Sequence, residues 1–174
     1  MATPTVRILG IDPGSRTTGW GVIDSSGYKS LHIAHGCLAV GAGELPERLL
    51  KILRGLSELI GEYRPEEVAI EETFVNRANP QSALVLGQAR GAAICAIAGA
   101  GVPMAEYAAA QVKMAIVGNG RADKDQVQHM VKVLLNLQQK LATDASDALA
   151  VALTHAHVRG TRVRAGIALS KSWG

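Results

Sequence analysis

Cysteine is almost absent. Cys37 and Cys95 are the only two in 174 residues, which excludes a disulfide scaffold, and no Cys/His set has the spacing of a zinc site. Long apolar runs are missing as well. The stretch from Ala92 to Ala98 runs into Gly99, Gly101 and Pro103, well short of the roughly 18 residues that a membrane span requires. The N-terminus has no cationic segment leading into an apolar one, so no secretory leader is read and a cytoplasmic protein without membrane attachment is expected. No internal repeat, low-complexity tract or interdomain linker breaks the chain. What is present, 48% hydrophobic and 19% charged residues, excludes intrinsic disorder and suits one globular core.

The net charge of +3 is unevenly spread. Residues 158–174 hold Arg159, Arg162, Arg164 and Lys171 and no acid, leaving 14 basic against 15 acidic residues elsewhere. The expected organisation is therefore a domain over 1–157 and a basic C-terminal tail over 158–174, disordered or nucleic-acid-binding.

Hydrophobic periodicity predicts ten elements. Val6–Asp12, Thr18–Asp24 and Ser30–Val40 read as strands, and their short glycine-containing connections suggest antiparallel neighbours. Leu49, Ile52, Leu53, Leu56, Leu59, Ile60 and Tyr63 fall at helical steps after Pro46, and Arg64-Pro65 ends that helix. Val68–Glu72 reads as a buried strand. A loop over Phe74–Asn79 leads through Pro80 into an Ala-rich helix reaching about Ala98. Val102–Tyr107 completes five strands. Helices over Ala109–Val117, over Lys124–Leu137 and from near Asp144 follow. The order β-β-β-α-β-α-β-α-α-α describes an α/β domain with a mixed sheet flanked by helices.

Four carboxylates stand out by position. Asp12 closes the first strand, and Glu71 or Glu72 closes the fourth; spacing does not choose between the last two. The carboxyl ends of strands are where α/β sheets build sites. Asp144 and Asp147, three apart at a helix start, share a face. If the last helix packs beside the first and fourth strands, all these acids converge. Their mutual repulsion would raise their pKa values unless a cation intervenes, and an all-oxygen donor set suits Mg²⁺ or Mn²⁺. Two such ions about 4 Å apart can activate water and neutralise the leaving oxygen of an in-line phosphoryl transfer. Simpler readings also stand: Asp144 and Asp147 as a helix N-cap and first-turn acid, Asp12 before Pro13-Gly14 as a turn former. The loop Gly10–Gly19 also has the look of the phosphate loop of actin-like ATPases, but such proteins need a second lobe for which this chain has no room.

The blocks GIDPGSRTTGWGVI, VAIEETFVNRANPQSALVLGQARG, EYAAAQVKMAIVGNGRADKDQVQHMV and DASDALAVALTHAH resemble, in order, those of the RuvC family of bacterial Holliday-junction resolvases in the RNase H-like superfamily. The resemblance runs from about residue 7 to residue 157. It implies an RNase H-like fold and a catalytic, metal-binding tetrad of Asp12, Glu71, Asp144 and Asp147, selecting Glu71 over Glu72. It further implies a homodimer acting on four-way junction DNA, placing two symmetric nicks in strands of like polarity, and working with the RuvA–RuvB branch-migration machinery. A catalytically silent junction-binding scaffold is the competing reading, and retention of all four acids argues against it.

Other residues take their expected roles from the same blocks. Phe74, the sole phenylalanine, sits in a polar loop after the strand acids, where the resemblance favours stacking on an unpaired base over plugging the core. Arg77 and Asn79 share that loop and suit phosphate contacts. Lys113 and Lys124 match basic positions that the family uses for DNA or near its site; Lys124 could offset the acids or steady a phosphate. Arg90 suits a structural hydrogen-bond donor. Cys37 and Cys95 are expected to be small packing residues, Trp20 and Tyr28 to pack the early sheet, and His129 to lie at a surface or interface. His155 and His157, two apart, do not share a helix face for chelation.

Overall fold

The computed structural model describes residues 4–26, 29–72 and 79–166. The ten expected elements occur in the expected order: β1 (Val6–Asp12), β2 (Thr17–Ser25), β3 (Ser30–Ala39), α1 (Leu45–Tyr63), β4 (Glu67–Glu71), α2 (Pro80–Gly99), β5 (Met104–Tyr107), α3 (Ala109–Val117), α4 (Lys124–Leu134) and α5 (Thr143–Arg164). The strands form one mixed sheet in the order β3-β2-β1-β4-β5. The β1–β2 and β2–β3 pairs are antiparallel, whereas β1–β4 and β4–β5 are parallel.

Strand periodicity sends alternate residues to two cores. Leu9, Ile11, Val22, Val68 and Ile70 pack beneath α1 and α2 with Ile52, Leu56, Ala93 and Ile97. On the opposite face, Ile8, Ile23 and Ala69 pack beneath α5 with Leu149, Ala152, Leu153 and Ala156, while Val127 and Val131 of α4 close that side. Asp12 shares its parity with Ile8, and Glu71 with Ala69, so both acids belong to the α5 face of the sheet.

Glycine lets α5 lie directly on that face. A Cβ on Gly10 would stand 2.0 Å from the Ala148 carbonyl oxygen, and one on Gly19 would stand 2.0 Å from the Asp144 carbonyl oxygen. On Gly21 it would meet the Leu149 side chain at 2.5 Å. Three alternate positions of β1 and β2 are thus surrendered to helix contact. The near-continuous burial of α5, with Ala145, Ala148, Leu149, Ala152 and Leu153 at 1% exposure or less, follows from that approach.

The far half of α5 is fastened by a polar cluster. His155 Nε2 lies 2.6 Å from Glu67 Oε2, its Nδ1 lies 2.8 Å from the Tyr107 hydroxyl, and Arg159 Nε donates to Glu67 Oε1 at 2.9 Å. Burial works against the Glu67 charge, but the bonds from His155 and Arg159 prevail and hold its pKa below the ordinary glutamate value. Residues 158–164, assigned from sequence to the basic tail, continue α5, and Arg159 is one of its anchors. Arg159 is therefore a structural cation.

Element ends differ from the sequence reading for local reasons. The helix α4 stops at Leu134 because Asn136 takes a left-handed conformation (φ 52°), and the Leu137 N–H closes back on the Lys132 carbonyl at 2.9 Å. Strand β5 starts at Met104, since Pro103 has no N–H to donate to a ladder. Trp20 packs on Tyr63 with ring centroids 5.6 Å apart, as expected of an early-sheet aromatic; Tyr28 lies outside the described residues. The helix α2 has the length and apolar composition of a membrane span by those measures alone, yet Ala89, Ala93, Ala96 and Ile97 pack it into the core. Arg90 forms an ion pair with Glu106 at 2.7 Å, a structural donor as the sequence suggested.

Cys37 and Cys95 require correction. Both are exposed rather than packed, because β3 is an edge strand and Cys95 lies on the outer side of α2. Although Cys37 is exposed as a residue, its thiol is partly shielded beside α5: that shielding and the nearby Asp144 and Asp12 charges hold its pKa above the usual value, while the bond from the Ala145 backbone N–H pulls it the other way.

Candidate active site

The carboxyl ends of β1 and β4 lie side by side, with Ile11 opposite Ile70 in parallel register. Asp12 and Glu71 follow immediately. The close seating of α5 on Gly19 carries Asp144 and Asp147 to the same end of the sheet. Among the described residues, Asp12, Asp144 and Asp147 each offer an oxygen within 4.8 Å of the others, close enough to share a metal ion. Glu71 stands beside this triad, and its charge raises the pKa of Asp12. Glu72 is exposed, just past the strand end, with its backbone N–H bonded to the Tyr107 carbonyl. Strand parity thus separates two acids that spacing did not.

The helix-capping reading of Asp144 does not hold. Ala142 is the N-cap of α5, no side chain caps it, and Asp144 already lies inside the first turn. With no backbone amide claiming their side chains as caps, Asp144 and Asp147 face the other carboxylates.

Their electrostatics are those of a crowded anionic site. Asp12 is pushed up to about 7, first by burial and then by the charges of Glu71, Asp147 and Asp144, against a smaller opposing pull from Lys124. Glu71 is also raised, by burial and by Asp147, with Lys124 and Lys113 opposing. Hard, crowded, oxygen-only donors fit a divalent cation, which would relieve the repulsion and take the place of a proton on Asp12.

Lys124, the first residue of α4, extends its ammonium to 2.8 Å from Asp147 Oδ2. Lys113 joins it along a cleft also lined by Glu71, Asp147, Ala109, Val112, Val127 and Ala150. The sequence offered Lys124 as a cation that could offset the acids; its pairing with Asp147 in particular follows from the tertiary packing of α4 on α5. Asn79 takes a role the sequence reading did not give it: its side-chain oxygen caps α2 by accepting from the Ser82 N–H at 3.1 Å. Phe74 and Arg77 lie outside the described residues.

Comparison with known proteins follows the same pattern. The family model described as "Crossover junction endodeoxyribonuclease RuvC" matches residues 8–155. A RuvC from Xanthomonas oryzae is 56% identical over 169 residues, covering 96% of this chain and 97% of that protein. The Thermus thermophilus RuvC structure superposes with a TM-score of 0.80 at 36% identity, covering 92% of this chain and 96% of the other. The T. thermophilus enzyme in complex with Holliday junction substrate gives 0.83 at 35% identity, covering 90% and 96%. A match that spans both strand acids and both helix acids, on a sheet of the same architecture, places this chain in the RuvC family of crossover junction endodeoxyribonucleases.

Proposed function

We propose that this chain resolves Holliday junctions, hydrolysing one phosphodiester in each of two strands of like polarity at the crossover. The observation that carries the reading is the meeting of Asp12, Asp144 and Asp147 within 4.8 Å beside Glu71, in a chain 56% identical to a RuvC. Asp12, Asp144 and Asp147 would hold divalent ions, with Glu71 completing the ligand set. When bound, Mg²⁺ (or Mn²⁺ in its place), as a pair with substrate, supplies activation of the attacking water and neutralisation of the leaving oxygen. The chain's own part is placement. Two strands and one helix hold the carboxylates rigid, while Lys113 and Lys124 present cations where the phosphate must enter.

Phe74 would stack on a base unpaired at the crossover, and Arg77 and Asn79 would contact phosphates nearby. Phe74→Ala is expected to lower junction cleavage about tenfold while leaving divalent-ion binding unchanged, in keeping with the loss of one base-stacking contact. Unchanged cleavage would remove the stacking role.

Two nicks require two sites, which a homodimer with twofold symmetry supplies. The outer side of α2 supports that assembly: Leu84 is 60% exposed, and Gly87, Gly91 and Cys95 form a shallow stripe on which a second helix could lie close. Chromosomal junctions place the enzyme in the cytoplasm, with the RuvA–RuvB complex as its expected partner there.

The decisive experiment offers the purified protein four-way, linear duplex and single-stranded DNA, with Mg²⁺ or with chelator. Paired symmetric nicks are expected in the four-way junction with Mg²⁺ only. Junction binding without nicks under any metal would favour a scaffold instead, and equal cutting of linear duplex would overturn junction selectivity.

A further inference from the structure

An ammonium lies beside Asp147, one of the three acids close enough to share a metal ion. Lys124 Nζ sits 2.8 Å from Asp147 Oδ2, and its charge also acts on Asp12 and Asp144. The helix end makes this placement reproducible. Asp123 accepts from the Gln126 backbone N–H at 2.9 Å, and the Gln126 side chain accepts from the Asp123 backbone N–H at 3.0 Å, a reciprocal cap that fixes Lys124 at the first position of α4.

The two partners are unequally held. Asp147 is 20% exposed and sits on the buried helix α5, whereas Lys124 is 57% exposed on a flexible four-carbon stem. The carboxylate is the fixed partner and the lysine the mobile one. The cleft they share also contains Lys113, so two cations face one opening, a pairing suited to a phosphodiester. A phosphate arriving there competes with Asp147 for Lys124. A divalent ion arriving at the acids competes with Lys124 for Asp147, and the two cations repel each other.

On the reading that these acids form the metal centre, we propose that Lys124 is an internal counter-cation: it occupies Asp147 in the free protein, and the phosphate of the DNA draws it away. Metal loading and DNA binding are thereby coupled. By linkage, the factor by which a junction tightens metal binding equals the factor by which metal tightens junction binding. The device keeps the acidic cluster partly neutralised before substrate arrives and completes it once a phosphate is in place. Lys124 thus acts as a positioning residue toward the metal.

The test measures Mn²⁺ binding to the full chain by electron paramagnetic resonance, without DNA and with a four-way junction. That junction carries phosphorothioate crossover linkages, which keep the negative charge and resist cleavage. Without DNA, Lys124→Gln is expected to bind Mn²⁺ about tenfold more tightly than wild type, and Lys124→Arg within about twofold of it. The junction is expected to tighten Mn²⁺ binding in wild type about tenfold more than in Lys124→Gln, where no cation remains to be removed. Equal or weaker Mn²⁺ binding by free Lys124→Gln, or equal tightening by the junction in both proteins, would overturn the proposal. Asp12→Asn separates the two levels. If it alone abolishes Mn²⁺ binding while Lys124→Gln changes nothing, the metal centre stands and the counter-cation falls. If wild type and Asp12→Asn bind Mn²⁺ alike, both fall.

Discussion

Asp12→Asn is expected to reduce junction cleavage by about a thousandfold or more while leaving junction affinity, measured with chelator, within a few-fold of wild type. The substitution keeps the shape of the side chain and removes a charged oxygen that metal ligation needs. It does not touch Lys113, Lys124 or Arg77, which face the phosphates in the proposed complex. Electrophoretic mobility shift and strand-cleavage assays on one junction separate the two effects. Loss of affinity with unchanged cleavage of bound DNA would show that Asp12 is not a metal ligand.

The same substitution has an opposite effect on the stability of the metal-free protein. Asp12 is pushed up to about 7 in the folded chain by burial and by three neighbouring carboxylates. The folded state therefore binds a proton more tightly than the unfolded state, so this group's contribution falls as pH rises through the window from about 4 to 7. At pH 8 the charged Asp12 costs on the order of 2–4 kcal/mol, which Asn avoids. Chemical denaturation with chelator present should find Asp12→Asn more stable than wild type at pH 8 and the difference shrinking towards pH 4. Added Mg²⁺ should stabilise wild type and not the variant.

Gly19→Ala carries the second large effect. Its Cβ would stand 2.0 Å from the Asp144 carbonyl oxygen, a backbone atom that no side-chain rotation can move aside. The first turn of α5 must shift by more than an ångström, at an expected cost of about 3 kcal/mol or more. For a chain of this length that lowers Tm by roughly 6–12 °C. Asp144 moves with its own carbonyl, so cleavage should fall even at temperatures where the variant remains folded. Gly61→Ala in α1 is the control, since a Cβ there meets nothing within 4 Å. Equal stability of Gly19→Ala and wild type would mean that α5 does not rest on the sheet as described.

The contrast between these two positions shows what a sequence can disclose. Asp12 was legible because an acid closing an apolar strand is conspicuous, and the ten elements were legible because their periods and breakers are strong. Gly19 passed as part of a flexible loop motif; its function is to be a surface for a helix more than a hundred residues away, and no local pattern encodes that. Glu71 and Glu72 were indistinguishable for a related reason. Val68, Ala69 and Ile70 are buried on both sides of a central strand, so the alternation that would reveal parity is filled with apolar residues. The resemblance to a family made the choice, and the register supplies its physical cause. Cys37 was misread because nothing in its neighbourhood announces an edge strand, whereas Lys124 was read as a cation that could offset the acids and only its particular partner, Asp147, belongs to packing.

The acids come from the first strand, the fourth strand and the last helix, and this has a consequence during synthesis. A nascent chain can fold most of its sheet while the helix bearing Asp144 and Asp147 is still inside the ribosome. Such an intermediate already has Asp12 and Glu71 but only half of the proposed ligands, and α5 has not yet covered Gly10, Gly19 and Gly21. On the proposed reading, hydrolytic competence thus waits for α5, and a product that stalls before Asp144 and Asp147 cannot cut DNA. For an enzyme whose mistargeted action would break the chromosome, the order of the gene acts as a safety catch.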